Sequence, residues 1–306
     1  MPFEILAVLG PTASGKSSLA IEIALQLQSE GQSVEIVNAD AMQLYRHLDI
    51  GTAKLSESER LGLPHHLIDV FDPSEEVTAV QYQELARAKI QEIIARGNLP
   101  ILVGGSMFYV SAALDGLDFA PTDSEIRARL EKEQELLGPL AMHEKLALLD
   151  PATAQKIPAN NLRRVVRALE VIQITGEPYS STLPEPQFWK PTLEIGISVE
   201  REELKRRIQL RAEAMWRKGL LEEVKALQDS EIQLGKTARV AIGYEQAIRQ
   251  LAGELSEAEA ISETVHLTAR YARRQMSWFR RDKRIHWVDS APDLLGQAMN
   301  RIRLER

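Results

Sequence analysis

The run Gly10, Pro11, Thr12, Ala13, Ser14, Gly15, Lys16, Ser17 restricts what this chain can become more than any other stretch of it. A glycine, four residues, then Gly-Lys-Ser is the spacing of a phosphate-binding loop. Before it, Glu4–Leu9 is short and apolar enough for a buried strand; after it, Ser18–Leu27 has the composition of a helix. Strand, glycine-rich turn and helix are the context such a loop requires. Successive backbone N–H groups and the helix N-terminus converge on one anion, Lys16 adds a positive charge, and the Ser17 hydroxyl can ligate Mg²⁺. A ligand carrying a di- or triphosphate is expected here.

Later segments extend this start into an α/β core, a parallel sheet flanked by helices. Strands are expected at Val34–Val37, His65–Val70 and Leu99–Val103, with a helix from Thr78 to Arg96 stopped by Gly97. From about 119 to 190 no strand is legible. Helices capped near Asp123 or Ser124, opened by Pro139, and running from Asn161 to Thr175 imply an all-helical insertion at 119–190. A proline-rich passage (Pro178, Pro184, Pro186, Pro191) closes it. The core, 1–118 and 191–306, then resumes with a strand at Thr192–Val199, helices to Arg281 apart from a loop near 229–238, a last strand at Ile285–Val288 and a closing helix.

Charge sharpens the question of partners. The net charge of −7 argues against a nucleic-acid ligand. Its distribution argues the other way. Between residues 270 and 284, seven basic side chains (Arg270, Arg273, Arg274, Arg280, Arg281, Lys283, Arg284) face Asp282 alone, and Arg163, Arg164 and Arg167 have no acid until Glu170. On a helix opened by the Ser256/Glu259 capping box, the 270–281 arginines form a stripe opposite Val265, Ala272, Met276 and Phe279. Such a stripe is either a solvated face or a grip on an anion. There is no cysteine and no run long enough to span a bilayer, and with a strand expected so near the N-terminus no signal peptide is expected. A cytoplasmic setting is expected.

Two further residues sit where ligands meet open α/β sheets, beyond the carboxyl ends of strands. Asp40 could be a general base, an outer-sphere Mg²⁺ ligand, or a helix cap. Ser106, after Gly104-Gly105, could present its hydroxyl to a ligand or cap the next helix. The Asp49–Lys54 loop is either a functional loop or a surface turn, and Gly243-Tyr244 a close-approach point or a helix break. The six histidines lack ligand spacing.

Taken together, the phosphate loop with its Pro-Thr-Ala interior, Asn38–Tyr45 followed by Asp49–Lys54, Val103–Tyr109, Arg167–Val171, Ala241–Tyr244, Arg270–Gln275 and Trp278–Arg280 resemble the bacterial tRNA dimethylallyltransferases, in their order and over most of the chain. The resemblance implies a P-loop NTPase-like fold. It also implies transfer of the dimethylallyl group of dimethylallyl diphosphate to N6 of adenosine 37, beside the anticodon, in tRNAs reading codons that begin with U. In that scheme the phosphate loop holds the diphosphate, Mg²⁺ lies near Ser17, and Lys16 and Arg211 stabilise the leaving group. Asp40 takes the N6 proton and Ser106 touches the target nucleotide. Asp40, Ala41, Met42, Gln43, Ser106, Arg127, Arg163, Arg164, Val165, Val166, Arg167, Arg239, Gly243, Arg270, Arg273, Arg274 and Gln275 are expected to meet tRNA, with the enzyme a monomer. Ala41 stands where the family usually has Ser, Ser106 where it has Thr, and Leu55 where it often has Pro. The rivals are a P-loop kinase using ATP and an enzyme prenylating a free adenine nucleotide. A GTP-binding switch would need an Asn-Lys-x-Asp motif, which is absent.

Overall fold

A computed structural model describes residues 2–117, 119–179, 187–230, 232–290 and 292–305. Its contacts divide the chain into a larger unit, Met1–Asp115 with Phe188–Arg306, and a smaller one, Gly116–Gln187. In chain order the elements are β1 Ile5–Leu9, α1 Lys16–Ser29, β2 Val34–Ala39, β3 His65–His66, α2 Ala79–Ala95, β4 Leu99–Gly104 and α3 Met107–Leu114. The small unit holds α4 Ser124–Leu149, α5 Pro151–Lys156 and α6 Leu162–Thr175. Then follow β5 Thr192–Ser198, α7 Arg201–Arg217, α8 Leu220–Asp229, α9 Lys236–Arg239, α10 Tyr244–Leu251, α11 Glu257–Phe279, β6 His286–Asp289 and α12 Leu294–Leu304.

The six strands form one parallel sheet in the order β3-β2-β4-β1-β5-β6. All five residues of β1 are buried, as a strand covered on both faces requires. With Leu6 paired to Ile101, and Ile36 to the same Ile101 on the other side, the carboxyl ends of β1, β2 and β4 reach one edge together. That edge carries the phosphate loop, Asp40 and Gly104-Gly105. Gly104 is obligatory there, because a Cβ would collide with the Ala39 carbonyl.

The third strand is far shorter than the alternation in His65–Val70 suggests. Leu67 (φ 59°) and Asp69 (φ 58°) take left-handed backbone and turn the chain out of the sheet. The turn brings Asp69 Oδ1 to Lys54 Nζ, 2.6 Å away, and Val70 N–H to the Leu44 carbonyl. In the small unit, α4 breaks at Gly138 (φ 77°, ψ 173°) before Pro139. Leu130, Met142, Leu146, Val165, Val166 and Leu169 form that unit's core. Pro184 and Pro186, in the expected proline-rich passage, lie outside the described residues.

One buried carboxyl makes stability depend on pH. Burial pushes Glu194 of β5 up to about 8; Asp282 and Asp115 add to the shift and Arg284 opposes it. The folded state then holds a proton that the unfolded chain releases near 4.5. Stability should therefore fall as pH rises from about 4.5 through about 8. Glu194→Gln should remove that loss, raising the melting temperature at pH 8.5 while changing it little at pH 5. Parallel melting curves of the two proteins check this.

Candidate active site

The phosphate loop is held open for an anion. Gly15 (φ 91°) caps α1 without a side-chain hydrogen bond, so no side chain competes for the helix's first N–H groups. Ala13 is left-handed (φ 62°), Ser14 N–H bonds the Pro11 carbonyl at 3.3 Å, and a Cβ on Gly10 would sit 2.9 Å from Ser14 Oγ. Lys16 is 9% exposed, with Nζ 3.5 Å from the Pro11 carbonyl. Burial lowers its pKa to about 8; the neighbouring Asp40 charge works against that shift and Arg211 adds to it. Burial also lowers Arg211, again opposed by Asp40. Two desolvated cations therefore face one carboxylate.

These groups share a cavity of about 420 Å³. Lys16, Ser17, Asp40, Arg207 and Arg211 supply its charged and polar lining; Ala20, Ile36, Leu55, Ile68, Val103 and Leu210 supply an apolar one. Arg211 reaches it from α7, with Nη1 3.3 Å from Thr12 Oγ1 and Nη2 3.4 Å from the Thr52 carbonyl.

Asp40 is positioned by its neighbours. Its N–H donates to Asn38 Oδ1 at 2.9 Å, and the Asn38 amide donates back to its carbonyl at 3.0 Å. Asp40 Oδ1 accepts from Met42 N–H at 3.1 Å, a turn at the entry to the single helical turn Met42–Leu44, whose N-cap is Ala41 and not Asp40. Ser106 opens α3, yet its hydroxyl does not cap that helix: Oγ accepts from Ala41 N–H at 2.9 Å. One strand end thus fixes the chain immediately after Asp40. Gln43 lines the cavity and donates to the Thr52 carbonyl at 3.1 Å, while Met42 packs on the cluster around Tyr45 and Trp216.

The Asp49–Lys54 run is scaffold rather than a solvated turn. Lys54 Nζ, its side chain 4% exposed, donates to Asp49 Oδ1 (2.5 Å), Asp69 Oδ1 and the Tyr45 carbonyl (2.9 Å). Glu223 accepts from Ile50 N–H at 2.9 Å and from the Tyr244 hydroxyl at 2.5 Å. The ring of Tyr244 lies where a Cβ on Gly51 would be, so Gly243-Tyr244 is indeed a close-approach point, but against protein backbone.

The residues expected to meet tRNA fall into two groups. Arg163, Arg164, Arg239, Arg270, Arg273 and Arg274 are exposed. Val165 and Val166 are not: they are core residues of the small unit, because the helical period turns them away from Arg163 and Arg164. Arg127 (2.7 Å) and Arg167 (2.9 Å) both pair with Glu170, which is fully buried. Burial works against that carboxylate, but the Arg127 and Arg167 hydrogen bonds outweigh it and hold the carboxyl below its usual range. Gly243 is buried, its N–H bonded to Gln246 Oε1. Gln275, 2% exposed, sits on the inner face of α11 and bonds the Thr12 N–H and the Gly105 carbonyl. Val165, Val166, Gly243 and Gln275 are thus buried in this structure, unlike the exposed arginines.

Sequence reasoning missed Arg207, which lines the cavity and donates to the Ser14 carbonyl (3.3 Å), to Ser290 Oγ (3.0 Å) and to Glu203. Its position one helical turn before Arg211 was the available signal. Tyr271 was also missed. It lies one turn before Gln275, and burial pushes its phenol up, with the Asp40 charge adding and hydrogen bonding to Ser106 opposing.

Comparison with known proteins places this geometry. The family model described as IPP transferase matches residues 43–282. A tRNA dimethylallyltransferase of Thermobifida fusca is 52% identical over 295 residues, covering 96% of this chain and 92% of the relative. One from Clavibacter sepedonicus is 53% identical over 291 residues, 95% of each chain. Among solved structures, the full-length tRNA isopentenylpyrophosphate transferase of Bacillus halodurans superposes with a TM-score of 0.71 at 38% identity, covering 99% and 96% of the two chains. A eukaryotic dimethylallyltransferase acting on tRNA does so at 0.82 and 25% identity, covering 99% and 80%. Matched by that model over most of its length and more than half identical to such relatives, the chain belongs to the IPP transferase family.

Proposed function

We propose that this protein transfers the dimethylallyl group of dimethylallyl diphosphate to the exocyclic N6 amine of adenosine 37 in tRNA. The observation that carries the reading is the cavity itself, in which three cations, a carboxylate and a hydrocarbon wall meet. A small allylic diphosphate needs that combination, with its diphosphate on Lys16, Arg211 and the N-terminus of α1 and its five carbons against the apolar side.

In the reaction, N6 attacks the allylic carbon, the carbon–oxygen bond to diphosphate breaks, and the N6 proton passes to Asp40. The exocyclic amine of adenine is a poor nucleophile, so its alignment and a waiting carboxylate both lower the barrier. Charge develops on the departing diphosphate, where Lys16 and Arg211 already stand without reorganisation. The apolar wall keeps water from the cation-like carbon. Ser17 and Asp40 bring hard oxygen donors to the same cavity, a set that suits Mg²⁺. Among the described residues no group of three or more His, Cys, Asp or Glu could hold a metal, so Mg²⁺ would be held chiefly through diphosphate oxygens and water. When bound, it neutralises the leaving group.

Arg163, Arg164, Arg239, Arg270, Arg273 and Arg274 supply exposed positive charge for phosphates of the anticodon stem-loop, whose loop base can be splayed out at modest cost. In this reading residues 119–190 are a helical tRNA-binding insertion. A single chain supplies every group named, in keeping with a monomeric enzyme. Among the described residues no helix is long and apolar enough to cross a membrane, in keeping with action on cytoplasmic tRNA.

The test is incubation of the purified protein with dimethylallyl diphosphate, Mg²⁺ and an unmodified tRNA of the class that reads U-initial codons. Mass spectrometry of the digested tRNA should show dimethylallyladenosine at position 37. Consumption of ATP with the tRNA unchanged would overturn the reading in favour of a kinase, and prenylation of free adenine nucleotide alone would reassign the acceptor.

A further inference from the structure

Three segments that serve different parts of the proposed reaction meet at one buried amide. Gln275 Oε1 accepts from the Thr12 N–H of the phosphate loop at 2.9 Å. Its Nε2 donates to the Gly105 carbonyl at 2.7 Å, one residue from Ser106, whose hydroxyl fixes the backbone after Asp40. The helix that carries Gln275 turns Arg270, Arg273 and Arg274 to the surface on its other side. The packing leaves no slack: a Cβ on Gly105 would collide with the Gln275 amide and lie 2.8 Å from the Gly10 carbonyl. Thr12 is gripped twice, by Gln275 through its backbone and by Arg211 through its hydroxyl.

We propose that Gln275 is a positioning residue that couples the basic face of α11 to the phosphate loop, so that RNA bound on that face tightens the site for the diphosphate donor. The inference rests on the function proposed above. Its physical basis is that α11 is a continuous helix of 23 residues, through which a shift under a polyanion passes to Thr12 and Gly105 by way of the two hydrogen bonds of Gln275. Gln275 itself is buried and does not line the cavity.

The coupling is measurable with dimethylallyl S-thiolodiphosphate, an unreactive donor analogue, titrated into the protein with and without an unmodified anticodon stem-loop. In the natural protein the stem-loop should tighten analogue binding about tenfold, within the usual range of coupling between sites. Gln275→Met, similar in shape but without the amide, should reduce that factor to below about twofold and leave stem-loop affinity alone within about twofold. Gln275→Glu, which still accepts from Thr12 but cannot donate to Gly105, should lose the coupling as well, so the result does not depend on one variant folding. Full coupling in both variants would overturn the inference, as would a parallel loss of analogue and stem-loop binding, which marks a merely structural role. A natural protein that prenylates the stem-loop but binds the analogue equally tightly with and without it also overturns the inference alone. One that prenylates nothing overturns the proposed function and the inference with it.

Discussion

Asp40→Ala should slow turnover by about 10²-fold or more while leaving tRNA affinity within about twofold. The carboxylate lines the cavity beside Lys16 and Arg211, and no other acid among its described lining residues could accept the N6 proton. Because Oδ1 also accepts from Met42 N–H, alanine removes a turn hydrogen bond along with a base, and a loss of rate could be read as local unfolding. Asp40→Asn separates the two. Its amide oxygen can still accept from Met42 but cannot take up a proton at neutral pH, so it should be nearly as slow as alanine. Single-turnover rates with saturating tRNA give the comparison. An asparagine variant that keeps the natural rate would leave Asp40 only its turn hydrogen bond to Met42 and return the question of the base to the site.

Lys16→Ala should lower kcat/KM for the donor by about 10²–10³-fold, the magnitude expected when one preorganised charge is removed from a developing anion. The same lysine predicts a pH profile. Burial lowers its pKa to about 8, so it is charged below that pH and becomes neutral above it. The charged form binds diphosphate; hence donor affinity is full below about 8 and falls as pH rises, to about one tenth at one unit above the pKa. Lys16→Arg keeps its charge throughout that range. Whatever affinity it retains should be flat between pH 7 and 9.5. Titration of the donor analogue at several pH values checks both claims, and a natural protein with a flat profile would show that Lys16 stays charged throughout that range.

Much of the architecture was legible before any coordinates. A phosphate loop demands a strand before it and a helix after it, and the capping box at Ser256 and the helical pattern from Thr78 marked two helix starts that the structure reproduces. Asp40 and Ser106 could be placed at strand ends because β strands alternating with helices put their carboxyl ends on one edge. The strand at His65 was overestimated for a reason that local pattern does not carry. Leu67 and Asp69 adopt left-handed backbone for the sake of partners distant in sequence, Lys54 and the Gln43–Leu44 backbone.

Side-chain duty divides along the same line. Motif spacing, period and local charge identify the anion, the helices and the arginine stripes, because each depends on residues within a turn or two of one another. Whether a given polar residue faces ligand or protein depends on what packs against it from far along the chain. Gln275 stands within an arginine stripe in the sequence, yet 263 residues of separation are bridged when its amide meets Thr12. Lys54 reads as a functional or surface turn residue and is a buried three-way clamp. Val165 and Val166 flank arginines and form a core. A short-range pattern names the anion that this chain is built to hold; long-range burial selects which polar groups are spent on holding the site together and which remain free to act.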